Sequence, residues 1–186
     1  MASVTTPQPG AEKFLDRAVD PREGLPLVGN ERTTLALFLH TQRLTLQLKC
    51  DGLNAEQLAR RAVEPSTMSL LGLVRHMAEV ERSWFRRRFA GEDIPHRYQT
   101  EAEPDGDFDG AVADQAVVEE AWAAWREEVA FAEQYAKDTD LDFVATTSDG
   151  EPISLRAMLL HMIEEYARHN DHADLLRERI DGRIGE

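Results

Sequence analysis

Four stretches of about 20 to 26 residues repeat apolar side chains at the period of a helix, and no run of comparable length alternates as a half-buried strand does. The first, Glu31 to about Lys49, has no internal Gly or Pro and stops at Asp51-Gly52. In the second, Ser69 to Ala90, the residues Leu70, Leu73, Val74, Met77, Val80, Trp84 and Phe85 share one face, and Gly91 closes the segment. The third, about Ala113 to Asp138, places Val118, Ala121, Trp122, Trp125, Val129 and Ala132 on one stripe. The fourth runs from Ser154, an N-cap after the Ser148-Asp149-Gly150 turn, to about Arg179. Its stripe is Leu155, Met158, Leu159, Met162, Tyr166, His169, Ala173 and Leu176. Each helix would be roughly 30 to 39 Å long at 1.5 Å per residue. The expected class is all-α, a four-helix bundle. Residues 92–111, polar and acidic with Pro and Gly, form a long connection that points to a crossover between the second and third helices. A short extended piece is expected around Phe143, in LDFVATTSDGEPI.

Four of the eight prolines and three of the eleven glycines fall in the first 29 residues, so residues 1–29 read as an irregular arm and 30–186 as one helical domain. The formal charge of −14 repels nucleic-acid phosphates and anionic membrane surfaces, and neither is an expected partner. There is no long apolar run and no charged-then-apolar leader, so a cytoplasmic location is expected. Much of the acid belongs to residues 92–111 and to outward positions such as Glu119, Glu120, Glu127 and Glu128. The single cysteine, Cys50, reads as a packed helix-end residue without chemistry.

The histidines are less evenly spread than the acids. MSLLGLVRHMAEVE at 68–81 aligns without gaps on ISLRAMLLHMIEEY at 153–166, pairing His76 with His161 and making segments two and four pseudo-equivalent. His76 borders the buried face of segment two, with Gly72 one turn earlier removing a side chain that would crowd it. Glu165 and His169 are i, i+4 on segment four, the spacing that lets two residues of one helix grip one ion. Polar groups at the inner edge of a core are costly unless paired. Neutral imidazoles with one carboxylate suit a divalent metal, and three protein ligands leave room for water or substrate. Histidines hydrogen-bonded within a core are the other explanation of the same pattern. His161 and His172 are open between ligand, ligand-orienting and surface roles, whereas His40 and His96 lack comparable neighbours.

The LVRHMAEVERSWFRR stretch, the EPDGDFD loop and LLHMIEEYARHNDHADLLRERIDG carry a resemblance to the DinB/YfiT-like metalloenzyme superfamily, in a subgroup of actinobacterial-type genomes, over about Glu31 to Gly182. The resemblance implies a bundle of up-down-down-up order and a metal held by one His of the second helix and two ligands four apart on the last. The matching positions are His76, Glu165 and His169. Many relatives carry His at the position of Glu165, so this chain departs toward the His-Glu-His set of the mycothiol-dependent maleylpyruvate isomerase branch. That implies Zn²⁺, with Ni²⁺ as the alternative. Asp171 and His172 stand where Gly and Gln are common, and the second domain of the isomerase branch is not expected in 186 residues.

The leading functional expectation is a thiol S-transferase that joins mycothiol, as small-molecule thiol, to an electrophilic substrate. A set of 18 arginines against 3 lysines fits the GC-rich genomes in which mycothiol occurs. The alternatives are a metal-dependent hydrolase or isomerase, with Glu164, Asp171 or His172 moving protons, and a non-enzymatic helical binding or dimerisation module. Arg75 and Arg168, next to ligands in sequence, are candidates for anionic substrate groups. A homodimer is the expected assembly.

Overall fold

The computed structural model describes residues 20–26 and 28–185, so most of the expected N-terminal arm lies outside the described residues. Arg22 binds the Asp20 carboxylate and reaches Thr45 at 3.2 Å, tying residues 20–24 to the first helix. The described chain is mostly helical, with six α-helices and one small two-stranded sheet.

Each long helix starts where a short polar side chain satisfies an orphan backbone N–H. Asn30 caps α1 (Glu31–Cys50) by accepting from Thr33 N, and Asn54 forms a capping box with Gln57 on the short α2 (Ala55–Ala59). Ser69 caps α3 (Leu70–Glu81) and accepts from Gly72 N at 3.1 Å. After α4 (Gly106–Asp109), Asp114 caps α5 (Gln115–Asp138). An antiparallel hairpin follows, β1 (Val144–Thr146) and β2 (Pro152–Ser154), with Ala145 opposite Ile153. Ser154 then caps α6 (Leu155–Asp181) by accepting from Ala157 N, and Gly182, at φ 82°, ends it in the left-handed region where Gly carries no Cβ penalty. The echo between segments two and four is thus structural at their starts, since Ser69 and Ser154 make the same bond to the third helical residue.

The second expected helix is not α-helical throughout. Arg82–Phe89 continues α3 as a π-helix, in which Ala90 N bonds back to Phe85 O at 2.9 Å. The wider turn keeps Phe85 and Phe89 buried while Arg82 and Arg86 both reach Glu128 on α5, at 2.8 and 2.6 Å. Glu128 is therefore buried between two guanidiniums, which corrects its expected place on a solvated face; Glu119, Glu120 and Glu127 are exposed as expected. The 92–111 connection also carries more structure than a loop, since α4 lies within it.

α1 packs along α6 and α3 along α5, with further contact between α3 and α6. One buried polar network joins all four. Arg43 of α1 makes two 2.8 Å bonds to Glu81 of α3, Tyr166 of α6 donates to Glu81 at 2.8 Å, and Trp125 of α5 donates to the Tyr166 oxygen at 2.9 Å. Glu81 is 0% exposed, so its charge depends on these partners and Arg43 depends on it. Around the network lie Leu39, Leu46, Leu73, Met77, Phe85 and Met158. Of the tryptophans, Trp125 is buried, while Trp84 and Trp122 are half-buried at the edge of the core. Among the described residues no helix is long and apolar enough to cross a membrane.

Candidate metal centre

α3 and α6 present His76, Glu165 and His169 to one another so that one ligand atom of each lies within 4.8 Å of the others. Glu165 Oε1 is 3.4 Å from His169 Nε2 and 3.9 Å from His76 Nε2, and the two imidazole centroids are 4.7 Å apart. All three side chains are half-buried, so the cluster sits between α3 and α6 with part of it open to solvent.

His76 is fixed from behind. Its Nδ1 lies 2.8 Å from Oδ2 of Asp107, a residue of α4 that is 1% exposed, which directs Nε2 toward Glu165 and His169. Asp107 also accepts from Gln99 Nε2 at 3.2 Å and from the Phe108 backbone N–H at 2.9 Å. The Phe108 ring stacks on the His76 ring, with centroids 5.1 Å apart and planes at 28°. Gly72 makes this possible, because a Cβ there would lie 2.8 Å from the Phe108 ring. Gly72 thus clears space for Phe108, not directly for His76.

Arg75 holds α4 in place. It donates from Nε to the Asp107 carbonyl at 2.8 Å and from Nη2 to the Gly106 carbonyl at 3.0 Å, and its guanidinium lies 3.9 Å from the Tyr98 ring centroid. Arg75 is therefore a buried brace for α4, and its guanidinium is taken up by the Asp107 and Gly106 carbonyls and the Tyr98 ring, not by a substrate anion as expected. Arg168 is exposed and donates to Glu165 Oε2 at 3.3 Å.

The electrostatics follow from this packing. Burial disfavours a charged His76, but the hydrogen bond to Asp107 and the nearby Glu165 carboxylate outweigh it and carry the imidazole up to about 9. The imidazole of His76 facing it at 3.9 Å holds Glu165 down at about 2 against the effect of burial. His169, buried and facing a positive His76, is pushed down to about 4. Asp107 and Glu165 thus both draw on the charge of His76, a demand that a divalent cation meets as well as a proton does. The donor chemistry, imidazole nitrogens with a carboxylate and a second carboxylate behind one imidazole, fits Zn²⁺-type ligation.

The remaining candidates separate clearly. His161, the sequence counterpart of His76, lies outside the donor group and packs edge-on against Trp84 at 5.0 Å between centroids. His172 is beside the centre, its Nδ1 3.4 Å from Nδ1 of His169. Glu164 and Asp171 are exposed. His40 lies 3.6 Å from Glu133, and His96 binds Glu79 at 2.7 Å. Cys50 is the last residue of α1 and buried, and burial pushes its thiol up to about 12. Asp107, Gln99 and Phe108 were not singled out by the sequence reading. The available signal was the EPDGDFD loop, where an aromatic follows an acid and glycines at 106 and 110 flank both.

A histidine-glutamate-histidine cluster backed by a carboxylate, set between two helices of a mostly helical protein, defines the class: a helical protein with a candidate divalent-metal centre. A family model described as mycothiol-S-transferase matches residues 34–182, and the chain belongs to that family, within the DinB-like superfamily. No curated protein and no solved structure matches the chain.

Proposed function

We propose that this protein is a metal-dependent S-transferase that joins mycothiol to small electrophiles, with His76, Glu165 and His169 holding the metal. The observation that carries this reading is the convergence of those three donors on a His76 anchored by Asp107, in a chain of the mycothiol-S-transferase family. Zn²⁺ is the metal the donor set favours, with Ni²⁺ second. When bound, such a cation supplies the positive charge that favours the thiolate over the thiol.

In the transfer, the S–H proton of the thiol passes to solvent water, its sulfur forms a bond to the electrophilic carbon, and the leaving group departs with its electron pair. The chain's own residues prepare the place where this happens. Asp107 keeps a proton on His76 Nδ1 and so leaves Nε2 as a donor atom. Phe108 covers one face of the His76 ring and excludes water from it. Arg168 holds the second oxygen of Glu165, which leaves Oε1 facing the two imidazoles.

The wider picture belongs to the same proposal. Residues 30–186 form one domain in which the four long helices run up-down-down-up and the 92–111 connection makes the crossover. The protein is cytoplasmic and pairs as a homodimer.

The test is a thiol screen on the metal-loaded protein, comparing mycothiol, glutathione and cysteine with chlorodinitrobenzene and a bimane electrophile. Mycothiol conjugation above background is expected, with the other thiols slower. Background rates with every thiol would remove the proposal.

A further inference from the structure

A second polar site lies where the segment after α2 meets the end of α6. Arg60, Arg61 and Arg179 line a cleft of about 570 Å³ between the segment after α2 and the last turns of α6, with one carboxylate, Glu64, on its wall. Arg61 is held by Asp109 at 2.9 Å. Among the described residues Arg60 and Arg179 make no ion pair. The Arg60 Nη2 contact to the Arg179 carbonyl, at 3.4 Å, uses one of five N–H donors and ties the two walls together. In a chain of charge −14, three guanidiniums against two carboxylates, Glu64 and the Asp109 that holds Arg61, leave a local excess of positive charge in a concave place, where low-dielectric walls focus the field.

Two elements connect this cleft to the metal centre. Along α6, Arg179 is seven residues beyond His172, which puts both side chains on nearly one face about 10 Å apart. His172 is in turn 5.4 Å from His169, centroid to centroid. Side chains lean toward the helix N-terminus, so the Arg179 guanidinium is carried back toward the centre. Leu175, 57% exposed, lies between His172 and Arg179 on this side and offers apolar contact on the way. Along α4, Asp107 holds His76, Phe108 stacks on it, and Asp109 holds Arg61. The cleft and the centre are therefore linked twice along the chain, through α4 and through α6.

We propose that Arg60, Arg61 and Arg179 bind an oxyanion, a carboxylate or phosphate, carried by the electrophilic substrate, whose reactive carbon sits about 10 to 15 Å away beside His76, Glu165 and His169. Guanidiniums suit this group because their forked N–H donors match its two oxygens. The substrate class is then an elongated acidic electrophile with an apolar middle. This assignment rests on the S-transferase reading for what happens at the far end, but the cleft can be tested without it.

Inorganic phosphate is titrated into the metal-free protein at low ionic strength, by calorimetry and by NMR of the arginine side chains. One saturable site is expected, weakened at least tenfold in the R60A/R179A double variant and unchanged in R126A, a control on α5. The R60K/R179K variant, which keeps the charge, retains most of the binding. Absence of saturable binding, or equal binding by the double alanine variant, would overturn the cleft. In the second arm, two electrophiles that differ only by a carboxylate are compared with mycothiol. The double alanine variant should raise KM for the acidic one about tenfold and leave the neutral one unchanged; an equal effect on both, or none on either, would overturn the link to the metal centre. If the wild-type protein conjugates no thiol, the S-transferase reading falls alone and the phosphate titration still decides the cleft.

Discussion

Asp107→Asn is the perturbation that bears most directly on how the centre is built. The side chain keeps its shape but loses the charge that holds a proton on His76 Nδ1 across 2.8 Å. Asp107 is 1% exposed, so water cannot replace the lost partner, and the Asn amide can keep its oxygen on His76 and Gln99, which share Oδ2, only by setting its NH2 against the Phe108 N–H that bonds Oδ1. A hydrogen bond to a buried charged group contributes about 1.5–3 kcal/mol. Loss of a carboxylate behind a ligating histidine typically lowers metal affinity about 10- to 100-fold, or about 1.4–2.7 kcal/mol. Zn²⁺ affinity measured by competition with a chromophoric chelator should fall within that range. Thermal melting of the metal-free protein separates this from a folding defect, and the same range is expected after correction for any change in folded fraction. An affinity within twofold of wild type, in a variant that melts normally, would refute the role given to Asp107.

Three other perturbations address different parts of the fold. Glu81→Gln takes from buried Arg43 its fully buried counter-charge and leaves only the half-exposed Glu133 at 3.5 Å, a loss of about 3–5 kcal/mol, or roughly 6 to 20 °C at about 2–4 °C per kcal/mol; an R43M/E81L pair should recover much of it, and a Glu81→Gln melt within 2 °C or so of wild type would contradict the network. Gly72→Ala should displace Phe108 from the His76 ring and weaken metal binding, since the new Cβ meets that ring at 2.8 Å; unchanged affinity in a folded variant would show that the stacking is incidental. For Asp181, burial opposes ionisation, but the 2.9 Å bond from Arg177 prevails and holds the carboxyl below its ordinary value. Its folded pKa is thus the lower one, so its stabilisation is present above the unfolded value of about 3.9 and is lost as pH falls through the folded value. Asp181→Asn should therefore be less stable than wild type in urea at pH 7 and converge with it at strongly acidic pH, whereas a constant gap across pH would contradict the assignment.

The parts of this molecule legible in the sequence are those fixed by local geometry. Periodicity located α1, α5 and α6 to within a few residues, and Ser154 and Gly182 announced the ends of α6 through capping chemistry. Glu165 and His169 could be paired because four residues on a helix bring two side chains to one face. His76 joined them through its border position on α3 and the family resemblance. What escaped notice depends on tertiary placement. Asp107 reaches His76 because Arg75 folds α4 back onto α3, and nothing in EPDGDFD states which of its acids turns inward. Glu128 looked like the exposed Glu127 beside it until the π-helical turn brought Arg82 and Arg86 to it. The echo of segments two and four located two equivalent caps, yet it aligned His76 with His161, which lies one turn short of Glu165 on α6.

The central claim is that His76, Glu165 and His169 together hold one divalent cation. Its most direct test is metal stoichiometry and affinity for wild type and for His76→Ala, Glu165→Gln and His169→Ala, by elemental analysis and chelator competition. The account predicts one equivalent of Zn²⁺ per chain in the wild type and a fall of at least about a hundredfold in affinity when either histidine is removed, beyond the 10- to 100-fold range for a residue behind a ligand. A wild-type protein that takes up no metal, or histidine variants that bind it as tightly as wild type, would contradict it.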